Sequence, residues 1–203
     1  MRVENLTEDA DVFTCNAFLV TGERTTLVDA GSMTGIDERI RERVEDLDAV
    51  VLTHQHGDHV AELEAVLDAF DADCYAYDEH PRRTHAIEDG DEVDIGGEPF
   101  EVVYTPGHAA DHVSFLGETS IFSGDVVVYE DGAFSGGSFG RTDMAGQSRE
   151  RLIASLRTIL DRLSDDVRYM YPGHGPEFEG DVREVIETAL RRAERREPKY
   201  GDE

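Results

Sequence analysis

A chain of 203 residues can bury the core of one substantial domain, or of a domain with a small appendage. Its 46 acidic against 19 basic residues give a formal net charge of -27, and Lys199 is the only lysine. Phosphate binding depends on clustered lysine and arginine, and only Arg191, Arg192, Arg195 and Arg196 approach a cluster, so nucleic acid is excluded as the expected partner. A carboxylate-rich, lysine-poor surface stays hydrated where salt screens its self-repulsion, a halophilic pattern that predicts a salt-rich cytoplasm. Cys15 and Cys74 lie in apolar segments without a CxxC spacing and read as small buried hydrophobes. The acidic start, Met1 to Asp11, lacks the apolar stretch of a signal peptide, and no run approaches the ~18 apolar residues of a membrane span. The expectation is a soluble cytoplasmic protein with no membrane partner.

In chain order, Val12 to Val20 reads as a strand and Thr25 to Asp29 as its hairpin partner across Gly22-Glu23. Asp29 closes that second strand, where it can cap the turn or orient a ligand from behind. Ile36, Ile40 and Val44 predict an amphipathic helix over residues 35 to 46. Ala49 to Leu52 is a short buried strand, and Val60, Leu63, Leu67 and Phe70 predict one helix after it. Asp73 to Tyr77 is the next strand. His80 and His85 follow in a polar connection and read as solvated. The period then shifts to two: Val93 to Ile95, Phe100 to Tyr104, Val113 to Leu116 and Ser120 to Phe122 form a meander. Glu130 to Met144, rich in glycine, reads as a long loop. A strong helix of about 17 residues from Gln147, a strand at Val167 to Tyr171 and a helix at about 181 to 197 complete the chain, with a frayed tail beyond Pro198.

Between the strand at 49–52 and its helix stands Thr53-His54-Gln55-His56-Gly57-Asp58-His59, four metal-competent side chains in six positions. Turn chemistry never asks for repeated histidine, whereas imidazole and carboxylate together suit zinc, iron or manganese. A glycine followed by histidine or aspartate then recurs at strand ends, giving His108, Asp125 and His174. Five histidines and two aspartates suit two adjacent ions. His54, His56 and His108 would take one, Asp58, His59 and His174 the other, with Asp125 bridging them. Asp58 is also the catalytic candidate. His112, which begins a strand, reads as a histidine behind the site or on the surface. The expected cofactors are two divalent metal ions, zinc first, with iron or manganese as alternatives, and such a pair generates hydroxide at neutral pH.

These motifs, with Pro106-Gly107-His108, Gly124-Asp125 and Pro172-Gly173-His174 in register, resemble the metallo-β-lactamase-fold hydrolase superfamily. The resemblance runs from Asn16 to Gly175 and implies an α/β fold of four layers, an αββα sandwich forming a single domain over residues 1–203. Within it the chain looks most like the glyoxalase II group, which hydrolyses acyl thioesters of small thiols. A similar glycine-rich stretch and arginine occur here as Gly136 to Asp143 and imply Arg141 as a contact for a substrate carboxylate, since guanidinium matches that geometry. Only about 30 residues follow His174, so the helical domain that helps bind glutathione in full-length members is expected to be truncated. Persulfide dioxygenases, mononuclear iron oxidoreductases, share a stretch like Gly140 to Asp143 and supply the alternative reading. A metal-binding module without catalysis is the third. The sequence leaves the oligomeric state open.

Overall fold

The computed structural model describes residues 1–197. Strands whose successive residues are all apolar need cover on both faces, and this requirement sets the layers. In β1 (Arg2–Asn5), β2 (Phe18–Thr21), β3 (Thr25–Val28), β4 (Ala49–Val51), β5 (Asp73–Ala76) and β6 (His85–Ala86) the chain builds a six-stranded sheet in sequence order. Along it Leu19, Leu27 and Val50 point one way, to a core under α1 (Ile36–Arg41), α2 (Gly57–Val60) and α3 (Leu63–Ala69). Phe18, Val20, Val28 and Val51 point the other way.

A second six-stranded sheet faces the first. Its members, in chain order, are β7 (Glu92–Ile95), β8 (Glu98–Tyr104), β9 (Val113–Leu116), β10 (Ser120–Gly124), β13 (Tyr169–Pro172) and β14 (Phe178–Glu179), and β13 lies parallel to β10. Phe100, Val102, Phe115 and Phe122 meet the first sheet, while Val103, Ile121 and Met170 face α4 (Arg149–Arg162) and α5 (Val182–Glu194). The result is the expected αββα sandwich. A small hairpin, β11 (Val128–Glu130) with β12 (Ser135–Ser138), lies outside the two large sheets.

Four local expectations are corrected. Residues 12–17 are not strand: the Asn16 N–H donates 2.7 Å to Gly173 O and the Cys15 N–H 3.2 Å to Asp58 O, so their backbone serves the loops instead of a ladder. The helix predicted across 60–70 is two helices, because the Glu62 N–H is diverted to Gly31 O. The segment 130–144 is not wholly loop. Gly137, at φ 127°, lets β12 lie on α5, where a β-carbon would meet Val185 O at 2.4 Å, and Arg192 caps the Ser135 and Gly137 carbonyls. The first helix ends at Arg41, short of the predicted 46. The tail beyond Pro198 lies outside the described residues. Cys15 and Cys74 are buried free thiols, His85 is exposed on β6 and stacks on Tyr75, and no described helix is long and apolar enough to cross a membrane.

Phe122 sits at the middle of the inter-sheet core, fully buried against Phe18, Phe100 and Tyr171. Phe122→Ala is expected to cost about 3–5 kcal/mol, since the two sheets cannot close over the lost ring. Urea unfolding followed by circular dichroism measures it, and a cost below about 1 kcal/mol would show that the sheets do collapse.

Candidate metal centre

Every candidate side chain leaves a strand at the same edge of the sandwich. β4 delivers His54 and His56, and α2 begins at once, so Asp58 and His59 project from its first turn. β8 delivers His108, β10 delivers Asp125 and β13 delivers His174. One hydrogen bond locks this edge across the sandwich, Val113 N–H to Thr53 O at 2.8 Å, and a second ties the ends of β13 and β10 within one sheet, Gly173 N–H to Gly124 O at 2.8 Å. Gly173 must be glycine here, because a β-carbon would lie 2.1 Å from Asp125 Oδ1.

Six of the seven residues form two triads. His54 Nε2 and His108 Nε2 lie 3.1 Å and 2.9 Å from His56 Nδ1. Asp58 Oδ2 lies 3.0 Å from His174 Nε2 and 4.0 Å from His59 Nε2. Asp125 stands between them, with Oδ2 3.3 Å from His108 Nε2 and 3.6 Å from His174 Nε2, and Oδ1 3.6 Å from His59 Nε2. The donor atoms come from four separate strand ends, yet all converge. His59 Nε2 and Asp125 Oδ1 are buried without any hydrogen-bond partner among the described residues, although buried polar groups are nearly always satisfied. A divalent cation bonded to both would supply the missing partner, so the donor set fits the group.

Charge divides the two halves. Burial, reinforced by neighbouring imidazoles, holds His54 well below the ordinary histidine range, and burial likewise lowers His108. Both are therefore neutral, as ligand imidazoles must be. Burial alone would raise the Asp125 carboxyl, but His59, His174 and His108 outweigh it and hold it down to about 2. Burial also works against the Asp58 carboxylate, but the His174 hydrogen bond and the charges of His59 and His174 together outweigh it and hold its pKa below the ordinary carboxylate value.

Two side chains behind the cluster aim its members. Asp29 accepts from Thr53 N–H at 2.8 Å and Thr53 Oγ1 at 2.7 Å, and its Oδ2 lies 2.9 Å from His59 Nδ1. A proton on that Nδ1 leaves Nε2 facing the cluster. Asp29 does this at φ 56°, a left-handed conformation unusual for a residue with a side chain. His112, fully buried and pushed down to about 3 by burial and His108, accepts the Asp125 N–H at Nε2 (2.9 Å) and meets Thr105 Oγ1 at Nδ1 (2.8 Å). It lies behind the site and not on the surface.

A cavity of about 620 Å³ opens on His56, Asp58, His108, Asp125 and His174 and is walled by Phe13, Val128, Phe139, Arg141 and Met144. Arg141 Nε and Nη2 donate to the two Asp143 oxygens at 3.0 and 2.6 Å, and its carbonyl lies 3.0 Å from His108 Nδ1. Sequence reasoning missed Phe13, taken for strand, and Met144, taken for loop. It also missed Asn16, whose amide donates to Pro172 O and Gly175 O at 2.9 Å each. No local pattern marks a side chain whose partners lie more than 150 residues away.

The chain has the metallo-β-lactamase fold, built around a cluster of divalent-metal ligand types. A family model described as the metallo-beta-lactamase superfamily matches residues 10–86. The fold and this match make the chain similar to that superfamily. Among relatives it is 29% identical over 198 residues to a Beta-lactamase-like protein 2 homolog of Caenorhabditis elegans, covering 89% of this chain and 62% of the relative. It is 41% identical over 96 residues to a Hydroxyacylglutathione hydrolase of Francisella philomiragia, covering 45% of this chain and 38% of the relative. The chain thus spans less than two thirds of the length of both. Among solved structures, ETHE1 from Myxococcus xanthus superposes with a TM-score of 0.76 at 24% identity, covering 97% of this chain and 92% of that one. TTHA1623 in a di-iron-bound form superposes with a TM-score of 0.69 at 27% identity, covering 88% and 94%.

Asp29→Asn tests the support behind His59. Asparagine keeps the left-handed backbone and the acceptor for the Thr53 N–H, but turns an NH2 towards Thr53 Oγ1 and His59 Nδ1. Metal affinity in chelator competition is expected to fall about 10–100-fold with the far-ultraviolet spectrum unchanged. Affinity equal to wild type would show that Asp29 only shapes the turn.

Proposed function

We propose that the chain is a metal-dependent hydrolase of acyl thioesters acting through a dinuclear centre. The observation that carries this reading is the pair of complete triads sharing Asp125 beside an open cavity. His54, His56 and His108 would hold one ion, Asp58, His59 and His174 the other, with Asp125 common to both. Divalent ions there supply Lewis acidity towards the substrate oxygen and lower the pKa of bound water towards neutrality. Zinc, iron and manganese all accept this ligand set.

The chain's own residues then do the following. Asp58, ionised and bordering the cavity, orients the attacking water and takes its proton. His59, held by Asp29 through Nδ1, keeps its Nε2 on the cluster while charge shifts during the reaction. A new C–O bond forms at the acyl carbon and the C–S bond breaks, the thiolate leaving with the electron pair. A thiolate needs little acid help, because its pKa lies far below that of an alkoxide or amine. Arg141 offers a hydrogen-bond contact at the cavity wall. With two of its N–H groups on Asp143, it serves a neutral substrate oxygen better than a full carboxylate.

Hydroxyacylglutathione hydrolase among the relatives supports the thioester class. The fold of ETHE1 and the stretch Gly140 to Asp143 favour a second reading, iron-dependent oxidation of a persulfide. The second triad weighs for two ions and hence for hydrolysis.

Metal analysis of protein purified in high salt, followed by a thioester panel under oxygen monitoring, separates the readings. Thiol release without oxygen uptake is expected. Oxygen uptake with sulfite formation from a persulfide would overturn the hydrolase. Asp58→Ala is expected to lower kcat at least about 100-fold with the fold retained by circular dichroism, and unchanged turnover would remove Asp58 from the reaction.

A further inference from the structure

Phe13 is 79% exposed and Met144 58%, although the same chain buries Phe18, Phe100, Phe115, Phe122 and Phe139 almost completely. Both exposed side chains stand on the wall of the cavity that opens on the candidate metal centre. The Phe13 ring stacks on the His174 imidazole, with centroids 5.3 Å apart and planes 18° from parallel. Phe13 does not owe this place to core packing. The Asn16 and Cys15 backbone bonds to Gly173 and Asp58 carry its segment across the mouth of the site. Exposed apolar groups gathered at a cleft mark a ligand surface more than scattered ones do.

The charges on the same wall point the same way. Glu130 and Asp131 face the cavity, and Asp131 is fixed there by the Ala133 and Phe134 N–H groups and by Ser138 Oγ. Arg141, the arginine on this wall, is compensated by Asp143. A carboxylate packed on this part of the wall lies beside Glu130 and Asp131, whereas an uncharged apolar group meets aromatic and thioether surface.

We propose that this cavity recognises its thioester through an uncharged apolar group, aromatic or branched aliphatic, carried next to the scissile carbonyl and packed on Phe13 and Met144. This rests on the thioester reading above and makes Phe13 its specificity-determining residue. The carboxylates of an acidic peptide thiol are not what the wall selects.

The experiment compares four small thioesters on the metal-loaded protein. They are the acetyl, succinyl and phenylacetyl thioesters of N-acetylcysteamine, and S-benzyl thioacetate, which moves the ring to the thiol side. One of the two ring-bearing substrates is expected to exceed the acetyl and succinyl compounds in kcat/KM by about tenfold or more. Its position reports which arm the cavity holds. Phe13→Ala is expected to reduce that preference about tenfold, and Phe13→Tyr to restore it. Because Phe13 is so exposed, circular dichroism of both variants should match the parent.

Binding is read separately by saturation-transfer NMR with 2-phenylacetamide, whose signal should weaken in Phe13→Ala. Thioesters cleaved without preference, or with the succinyl compound preferred, and a ratio unmoved by Phe13→Ala, overturn this inference and leave the hydrolase standing. No thioester cleaved, yet Phe13-dependent binding of 2-phenylacetamide, overturns the hydrolase and leaves the apolar subsite.

Discussion

Three contacts to one carboxylate hold the candidate centre in shape. Asp29 ends β3, takes the backbone and side chain of Thr53 at the end of β4, and fixes His59 at the start of α2. A buried carboxylate in a left-handed backbone is costly on both counts, and it persists because both of its oxygens are hydrogen-bonded. The position of His59 then follows, and with it the direction from which Asp125 and His174 must approach. Asp125 is held in turn by His112 through its own N–H. His59 and Asp125 are thus aimed by residues lying behind the cluster, as precise metal sites require.

The charge arrangement has the same logic. Burial favours neutral His54 and His108 on one side, while Asp58 and Asp125 stay ionised on the other despite their burial. Such a cluster is stable with a cation or with protons on its imidazoles, and a metal must displace those protons to enter. Two buried donor atoms without partners show where the balance is incomplete.

Much of this was legible in the sequence, for reasons that can be located. Phe18, Leu19 and Val20, or Val102 and Val103, announce strands covered on both faces. Histidine or aspartate after glycine at a strand end announces residues turned towards a common edge. What escaped was non-local. Nothing near Val12 to Ala17 reveals that its N–H groups belong to Gly173 and Asp58, so an apolar run passed for strand. One diverted N–H at Glu62 split a helix whose hydrophobic spacing was otherwise continuous. β12 pairs with β11 and is held against α5 by Arg192 from some fifty residues away, a distance at which glycine-rich sequence carries no signal. His112 had a visible hint, a histidine opening a largely apolar strand, but its partner Asp125 lies just past the end of the next one.

The Asn16 bracket has a kinetic side. Its amide ties the start of the chain to Pro172 and Gly175, so the edge that carries the candidate centre closes only after a loop of more than 150 residues has been drawn together. Loop closure of that length is slow relative to local hairpins and helices, although its entropic cost grows only logarithmically. Each half-sheet can therefore condense with its own helices before the two triads exist. A cation that bridges both halves binds nothing comparable in the separated halves, and by mass action it favours the joined form. The metal would act as the latch of the sandwich as well as its reagent, coupling assembly of the fold to acquisition of the ion.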